Sequence, residues 1–138
     1  MKTYEQFYIN GEWVDPVDGK NMFDVLNPSN EEVIGQIAMG GAADVDNAVK
    51  AASKAFNSFS QTTAEERLAL LGKIVEVYQS RYDEIAETIS SEMGAPLSLS
   101  KAAQAATGLG HFAQAIEILQ NFEWEETKGK TVLRREPI

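Results

Sequence analysis

Between Thr63 and Gly94 the chain carries a helical signal that constrains the fold more than any other stretch. Thr63 and Glu66 stand at capping-box spacing, in which each side chain satisfies the other residue's backbone N–H. Glu65 and Glu66 fall in the first turn, where the positive end of the helix dipole favours carboxylates. Behind them Leu68, Leu71, Val75, Tyr78, Tyr82, Ile85 and Ile89 alternate three and four apart, as one face of a helix does. The pattern admits a break near Ser80, and Gly94 supplies the residue type that ends a helix in left-handed conformation.

The remainder divides around this unit. Residues 7 to 14, "FYINGEWV", place apolar and aromatic residues on both sides of Asn10-Gly11, the pair that best fills a two-residue turn needing positive φ, so a β-hairpin is predicted. "MFDVLNP" (22–28) and "EEVIGQIA" (31–38) read as a second strand pair around the turn-rich Asn27-Pro28-Ser29-Asn30. A first helix follows, with Asp44 as its expected N-cap and Val45, Ala48, Val49, Ala52, Phe56 and Phe59 on a narrow, alanine-rich face. A third helical stretch runs from Leu97 to Leu119, with Ala102, Ala106, Leu109, Ala113, Ile116 and Leu119 on one side. Gly108 and Gly110 weaken it by about 1 kcal/mol each relative to alanine, so tertiary packing must hold it. From Phe122 the chain returns to β character around a "KGK" turn (128–130). The fold class is therefore α/β.

Composition narrows what the chain can do. The 138 residues fit one domain, 43% are hydrophobic, and no apolar run approaches a membrane span. The first residues lack the apolar core of a secretory signal, which points to a cytoplasmic address. The formal charge of -9 falls entirely on residues 1 to 122 and disfavours nucleic acid and anionic membrane as partners. Zero cysteines leave no disulfide, thiolate metal site or cysteine nucleophile in this chain.

Four features invite a chemical reading and fail on context. Gly108-Leu109-Gly110-His111-Phe112-Ala113 matches the G-x-G-x-x-A dinucleotide motif, which works only when a strand leads into the first glycine and a helix begins at the last. Here the alanine-rich "KAAQAAT" leads in, so small residues that let another element pack are the better reading. His111, the one histidine, has Gln114 and Ala115 at the next helical turn and no second ligand type for a metal. Gly40-Gly41 precedes a helix, but Asp44 and Asp46 would repel a phosphate there. The adjacent carboxylates Glu65-Glu66, Asp83-Glu84 and Glu125-Glu126 read as helix starts and solvated faces. No catalytic and no cofactor-binding residue is assigned on this basis.

Taken as whole strings, "YINGEWV", "NPSNEEVIGQIA", "ADVDNAVKAASKAF", "TTAEERLALLGKIVEVYQSRYDEIAETISSEMGAP" and "REPI" follow one another in an order that resembles the N-terminal part of the NAD(P)-dependent aldehyde dehydrogenase superfamily. The resemblance implies two β-hairpins and three helices of a Rossmann-like cofactor domain in residues 1–121. Residues 122–138 would then begin a bridging β segment that joins subunits into a homodimer or homotetramer. It further implies that NAD or NADP is bound, and that an aldehyde is oxidised through a cysteine thiohemiacetal, by residues this chain does not contain. A structural monovalent cation is implied at the backbone oxygens of Val25 and Leu26 and the carboxylate of Glu92, hard donors suited to such an ion. Glu92 equally reads as a charged residue in a helix's last turn, where a carboxylate opposes the dipole. Gly94-Ala95-Pro96 stands where the family more often has Gly-Lys-Pro.

The ending "KTVLRREPI" reads as a strand interrupted on its way out of the cofactor domain. The expectation is an N-terminal portion of an aldehyde dehydrogenase, structural and inactive alone. The alternative is a truncated, non-enzymatic module that associates with full-length subunits.

Overall fold

A computed structural model describes residues Lys2 to Arg135, so the Glu136-Pro137-Ile138 ending lies outside the described residues. Five short strands come first: β1 (Lys2–Tyr4), β2 (Phe7–Ile9), β3 (Glu12–Val14), β4 (Asn21–Leu26) and β5 (Val33–Met39). Then follow helices α1 (Ala42–Phe59), α2 (Ala64–Ser80), α3 (Tyr82–Met93) and the single turn α4 (Leu97–Leu99). A π turn (Ser100–Gln104) leads directly into α5 (Ala105–Gln120), and strands β6 (Glu125–Lys128) and β7 (Thr131–Arg134) close the described chain.

Both predicted hairpins form. Strands β2 and β3 pair antiparallel, with Phe7 opposite Val14, and both turn residues take positive φ, 56° at Asn10 and 82° at Gly11. Tyr8 and Trp13 face each other across the ladder with ring centroids 5.2 Å apart, a cross-strand aromatic pair that reinforces the register. Strands β4 and β5 pair antiparallel from Asn21 opposite Met39 to Leu26 opposite Val33, with an irregularity between Val25 and Leu26. Asn27 organises their turn: its side-chain oxygen accepts from the Ser29 N–H at 2.9 Å, and its carbonyl accepts from the Glu31 N–H at 2.7 Å.

The sequence pattern did not reveal β1, which pairs parallel with β5 to make a three-stranded sheet in the order β1-β5-β4. Three residues give too short a run to show alternation. Gly35 is buried where this pairing forms, and a Cβ there would lie 3.0 Å from the Lys2 carbonyl oxygen.

The expected N-cap of α1 is corrected. Gly41, with an extended backbone at φ -94° and ψ -176°, caps the helix, and Asp44 is its third residue. Asp44 reaches back to accept from the Gly41 N–H at 2.8 Å and also from the Val17 N–H at 2.9 Å, tying the loop after β3 to the helix start. Two alanines that favour helix move the start two residues earlier than the aspartate.

The capping box at Thr63 forms in both directions, with Glu66 N–H to Thr63 Oγ1 at 3.1 Å and Thr63 N–H to Glu66 Oε2 at 2.8 Å. Arg67 holds the preceding turn by bonding Thr62 Oγ1 at 2.8 Å and the Ser60 carbonyl at 3.2 Å, above the Phe59 ring. The break admitted near Ser80 occurs at Arg81, and Gly94 ends α3 at φ 70° as the sequence suggested. The third helical stretch runs without a gap from Leu97 to Gln120, but winds as a π turn over Ser100–Gln104 between α4 and α5. Helix α2 packs along α5, and α3 packs along the π turn.

Small residues make up the core. Ala38, Ala86 and Ala105 are the buried hydrophobic residues among those described, and no large apolar side chain is buried with them. The whole chain exposes 10155 Å², whereas a compact monomer of 15.1 kDa exposes about 7,100 Å².

Candidate functional site

A cleft of about 500 Å³ opens between the β1-β5-β4 sheet and the exposed side of α3. Lys2, Tyr4 and Val25 stand on its sheet wall, and Arg81, Glu84 and Glu92 line the helical wall. Arg81 grips Glu84 by two bonds, Nη2 to Oε1 at 2.7 Å and Nε to Oε2 at 2.8 Å. The hydrogen bond from Arg81, then its charge, holds the Glu84 carboxyl below the usual carboxylate range; Lys2 adds to this. The same contact raises Arg81. This pair fixes the charges at one end of the cleft in mutual neutralisation.

Two of the three residues expected to hold a cation line this cleft. Val25 and Glu92 both line the cleft, while Leu26, the next residue of β4, is not one of its walls. The turns that follow β4 and α3 are in contact: a Cβ on Gly94 would lie 3.0 Å from the Ser29 amide nitrogen and 3.3 Å from Pro28 Cβ. Glycine is therefore needed at this position for space as well as for its positive φ. The register irregularity between Val25 and Leu26 interrupts the β4-β5 ladder beside this contact. Backbone carbonyls of β4 and the Glu92 carboxylate are the hard oxygen donors that suit a monovalent cation. No group of three or more His, Cys, Asp or Glu side chains that could hold a metal occurs among the described residues.

The other motifs resolve as packing. Gly108 to Ala113 lies inside α5, preceded by the π turn rather than a strand, so no helix start offers free N–H groups. A Cβ on Gly108 would lie 3.0 Å from Tyr78 Cζ and closer still to the phenol oxygen, which shows what this glycine is for. His111 is exposed on the same helix. At Gly40-Gly41 the Gly41 amide is already bound by Asp44.

Sequence reasoning missed Lys2 and Tyr4 as wall residues because β1 was not seen. It also missed that Tyr78 and Tyr82, read as apolar positions, use their hydroxyls on backbone carbonyls of the facing helix. Tyr78 Oη donates to the Ala105 carbonyl at 2.8 Å, and Tyr82 Oη donates to that of Lys101. Two tyrosines four residues apart on a buried face were the available signal, since a half-buried phenol needs a partner.

Comparison with known proteins agrees with this architecture. The family model described as "Aldehyde dehydrogenase family" matches residues 13–138. A Staphylococcus aureus (strain bovine RF122 / ET3-1) protein carrying the same family name is 46% identical over all 138 residues, which span 29% of its length. The crystal structure of an aldehyde dehydrogenase from Bartonella henselae superposes with a TM-score of 0.92 at 38% identity, covering 97% of this chain and 29% of that one. Aldehyde Dehydrogenase C of Pseudomonas syringae, a mutant solved with NAD+ and octanal, gives a TM-score of 0.91 at 40% identity, covering 97% and 27%. The chain spans less than a third of the length of the relatives it matches, and its fold is that of their N-terminal part. With a family match over nearly its whole length and these superpositions, the chain belongs to the aldehyde dehydrogenase family.

Proposed function

We propose that residues 1–121 are the N-terminal part of the cofactor-binding domain, and residues 122–138 the start of the bridging segment, of an enzyme oxidising an aldehyde to a carboxylic acid with NAD(P)+. The observation that carries this reading is the unmet surface. The chain exposes about 3,000 Å² more than a compact monomer of its mass, an area in the range of obligate interfaces. Val45, Val49, Phe56 and Phe59 form one apolar face of α1 and are all exposed. Such faces belong against the remaining parts of an aldehyde dehydrogenase fold. The Pseudomonas relative holds NAD+ and octanal, which supports a nicotinamide cofactor and an aldehyde substrate for the whole enzyme.

The chain's own part is scaffold: it has no cysteine to attack a carbonyl, and its dinucleotide-like motif sits inside a helix. Val25, Leu26 and Glu92 would hold the monovalent cation against the Asn27–Asn30 turn. The β6-β7 ribbon, with Val132 and Leu133 exposed, would join subunits as a homodimer or homotetramer. No helix among the described residues is long and apolar enough to cross a membrane. The rival reading, a non-enzymatic interaction module, gains no support from the relatives found.

The test is replacement. A chimaera carrying this chain in place of the matched first 29% of the Staphylococcus aureus relative should produce NAD(P)H from an aldehyde, and the 138-residue chain alone should not. Turnover by the isolated chain, or a folded chimaera unable to bind NAD(P)+, would remove the proposal.

A further inference from the structure

The π turn carries an unusual hydrogen-bond exchange. In an α-helix the Ala105 N–H would bond the Lys101 carbonyl four residues back. Here it bonds the Ser100 carbonyl, five residues back. The Lys101 carbonyl receives instead the hydroxyl of Tyr82, the first residue of α3. An unpaired carbonyl at a packed helix contact is unfavourable, so the phenol replaces the amide that the wider turn removes.

Burial agrees with this exchange. Ser100 and Ala105 are both 0% exposed. Five residues apart on an α-helix they would point about 140° away from each other, and one would leave the interface. The i to i+5 turn brings both onto the side facing α3 and α2. Ser100 is held further by its hydroxyl, which donates to Gln104 Oε1 at 2.8 Å across the same turn.

Tyr78, one turn earlier on α2, bonds the Ala105 carbonyl where α5 begins, over the space that Gly108 leaves open. The two phenols thus stand on either side of the Arg81 break and mark the two ends of the register change.

We propose that the Tyr82 hydroxyl is a register latch, holding Ser100–Gln104 one residue out of α-helical phase so that Ser100 and Ala105 are buried together. Without it the α register becomes the better-paired state. Reaching that state turns the chain ahead of Ala105 by about 100°. Leu97–Leu99 and the Gly94 turn move with it, and the Gly94 turn is what packs against Pro28 and Ser29.

The test compares Tyr82→Phe with Tyr78→Phe in the full 138-residue chain by amide hydrogen exchange. Tyr78 bonds a carbonyl that α5 also pairs, so its loss leaves the register in place. Exchange across residues 100–106 should be faster in Tyr82→Phe than in Tyr78→Phe by about fivefold or more, the loss of one partner to a buried carbonyl. Exchange in the Asn10-Gly11 hairpin should be unchanged in both. A smaller difference, or equal effects of the two variants, overturns the latch. If Tyr82→Phe does not fold, scalar coupling across hydrogen bonds in the unmodified chain decides. Coupling from the Ala105 amide to the Ser100 carbonyl supports the proposal, and coupling to the Lys101 carbonyl overturns it.

Discussion

Gly108 and Gly110 look alike in the sequence, two glycines that weaken one helix, yet they meet different surroundings. Gly108 lies under Tyr78, whereas nothing approaches within 4 Å of a Cβ placed on Gly110. Gly108→Ala gains about 1 kcal/mol of helix propensity but forces Tyr78 off its bond to the Ala105 carbonyl, an overpacking of about 1–3 kcal/mol plus a lost hydrogen bond of about 1 kcal/mol. Gly110→Ala takes the propensity gain alone. Denaturant unfolding should therefore show the first variant destabilised by about 1–3 kcal/mol and the second stabilised by up to about 1 kcal/mol. The packing role read from the helix leading into the motif holds for Gly108 and not for Gly110. The partner was not legible, because Tyr78 is thirty residues earlier in the sequence.

Elements with a local cause were read well. The Asn10-Gly11 turn, the Thr63 capping box, the Gly94 stop and the Lys128–Lys130 turn, where Gly129 takes φ 62°, each depend on a few adjacent residues. The π turn and β1 depend on distant partners and left no local trace. The β6-β7 ribbon offers a pH test. Glu126 sits below its ordinary value near 4.5, first through the hydrogen bond from Arg135 and then that from Lys128. An unfolded carboxyl titrates at the ordinary value. The ribbon's gain from Glu126 is thus complete above that value and is lost as pH falls through the lowered one. Arg135 also binds the Glu123 carbonyl at 2.9 Å, and its N–H bonds the Trp124 carbonyl at 2.8 Å, so the ribbon's base is tied here. Amide exchange at Lys128 and Leu133, which lie at hydrogen-bonded positions of the ladder, should rise as pH is lowered through this range, after correction for intrinsic rates. Glu126→Gln should flatten that response; an unchanged response would show that Glu126 does not couple to the ribbon.

For the molecule as a whole, the decisive quantity is the area left in water. With Val49 57%, Phe59 51% and Phe56 44% exposed on α1, and only alanines as the buried hydrophobic core among the described residues, the isolated chain should self-associate. Sedimentation should show weight-average mass rising with concentration, and Val49→Asp with Phe56→Asp should lower that rise while leaving helix content unchanged. A monodisperse monomer with a sharp thermal transition would contradict this picture of faces awaiting the rest of the enzyme.

The sequence by itself determined the α/β class, the two hairpins, the helix that opens at Thr63, the closing turn and the family, since each is written in neighbouring residues or in their order. Tertiary structure alone decided that β1 joins β5, that Val25 and Glu92 share a cleft while Leu26 does not, and that Ser100–Gln104 winds as a π turn. Those outcomes depend on hydrogen bonds and contacts between residues far apart in the chain. A local pattern cannot encode which distant carbonyl a tyrosine hydroxyl will find.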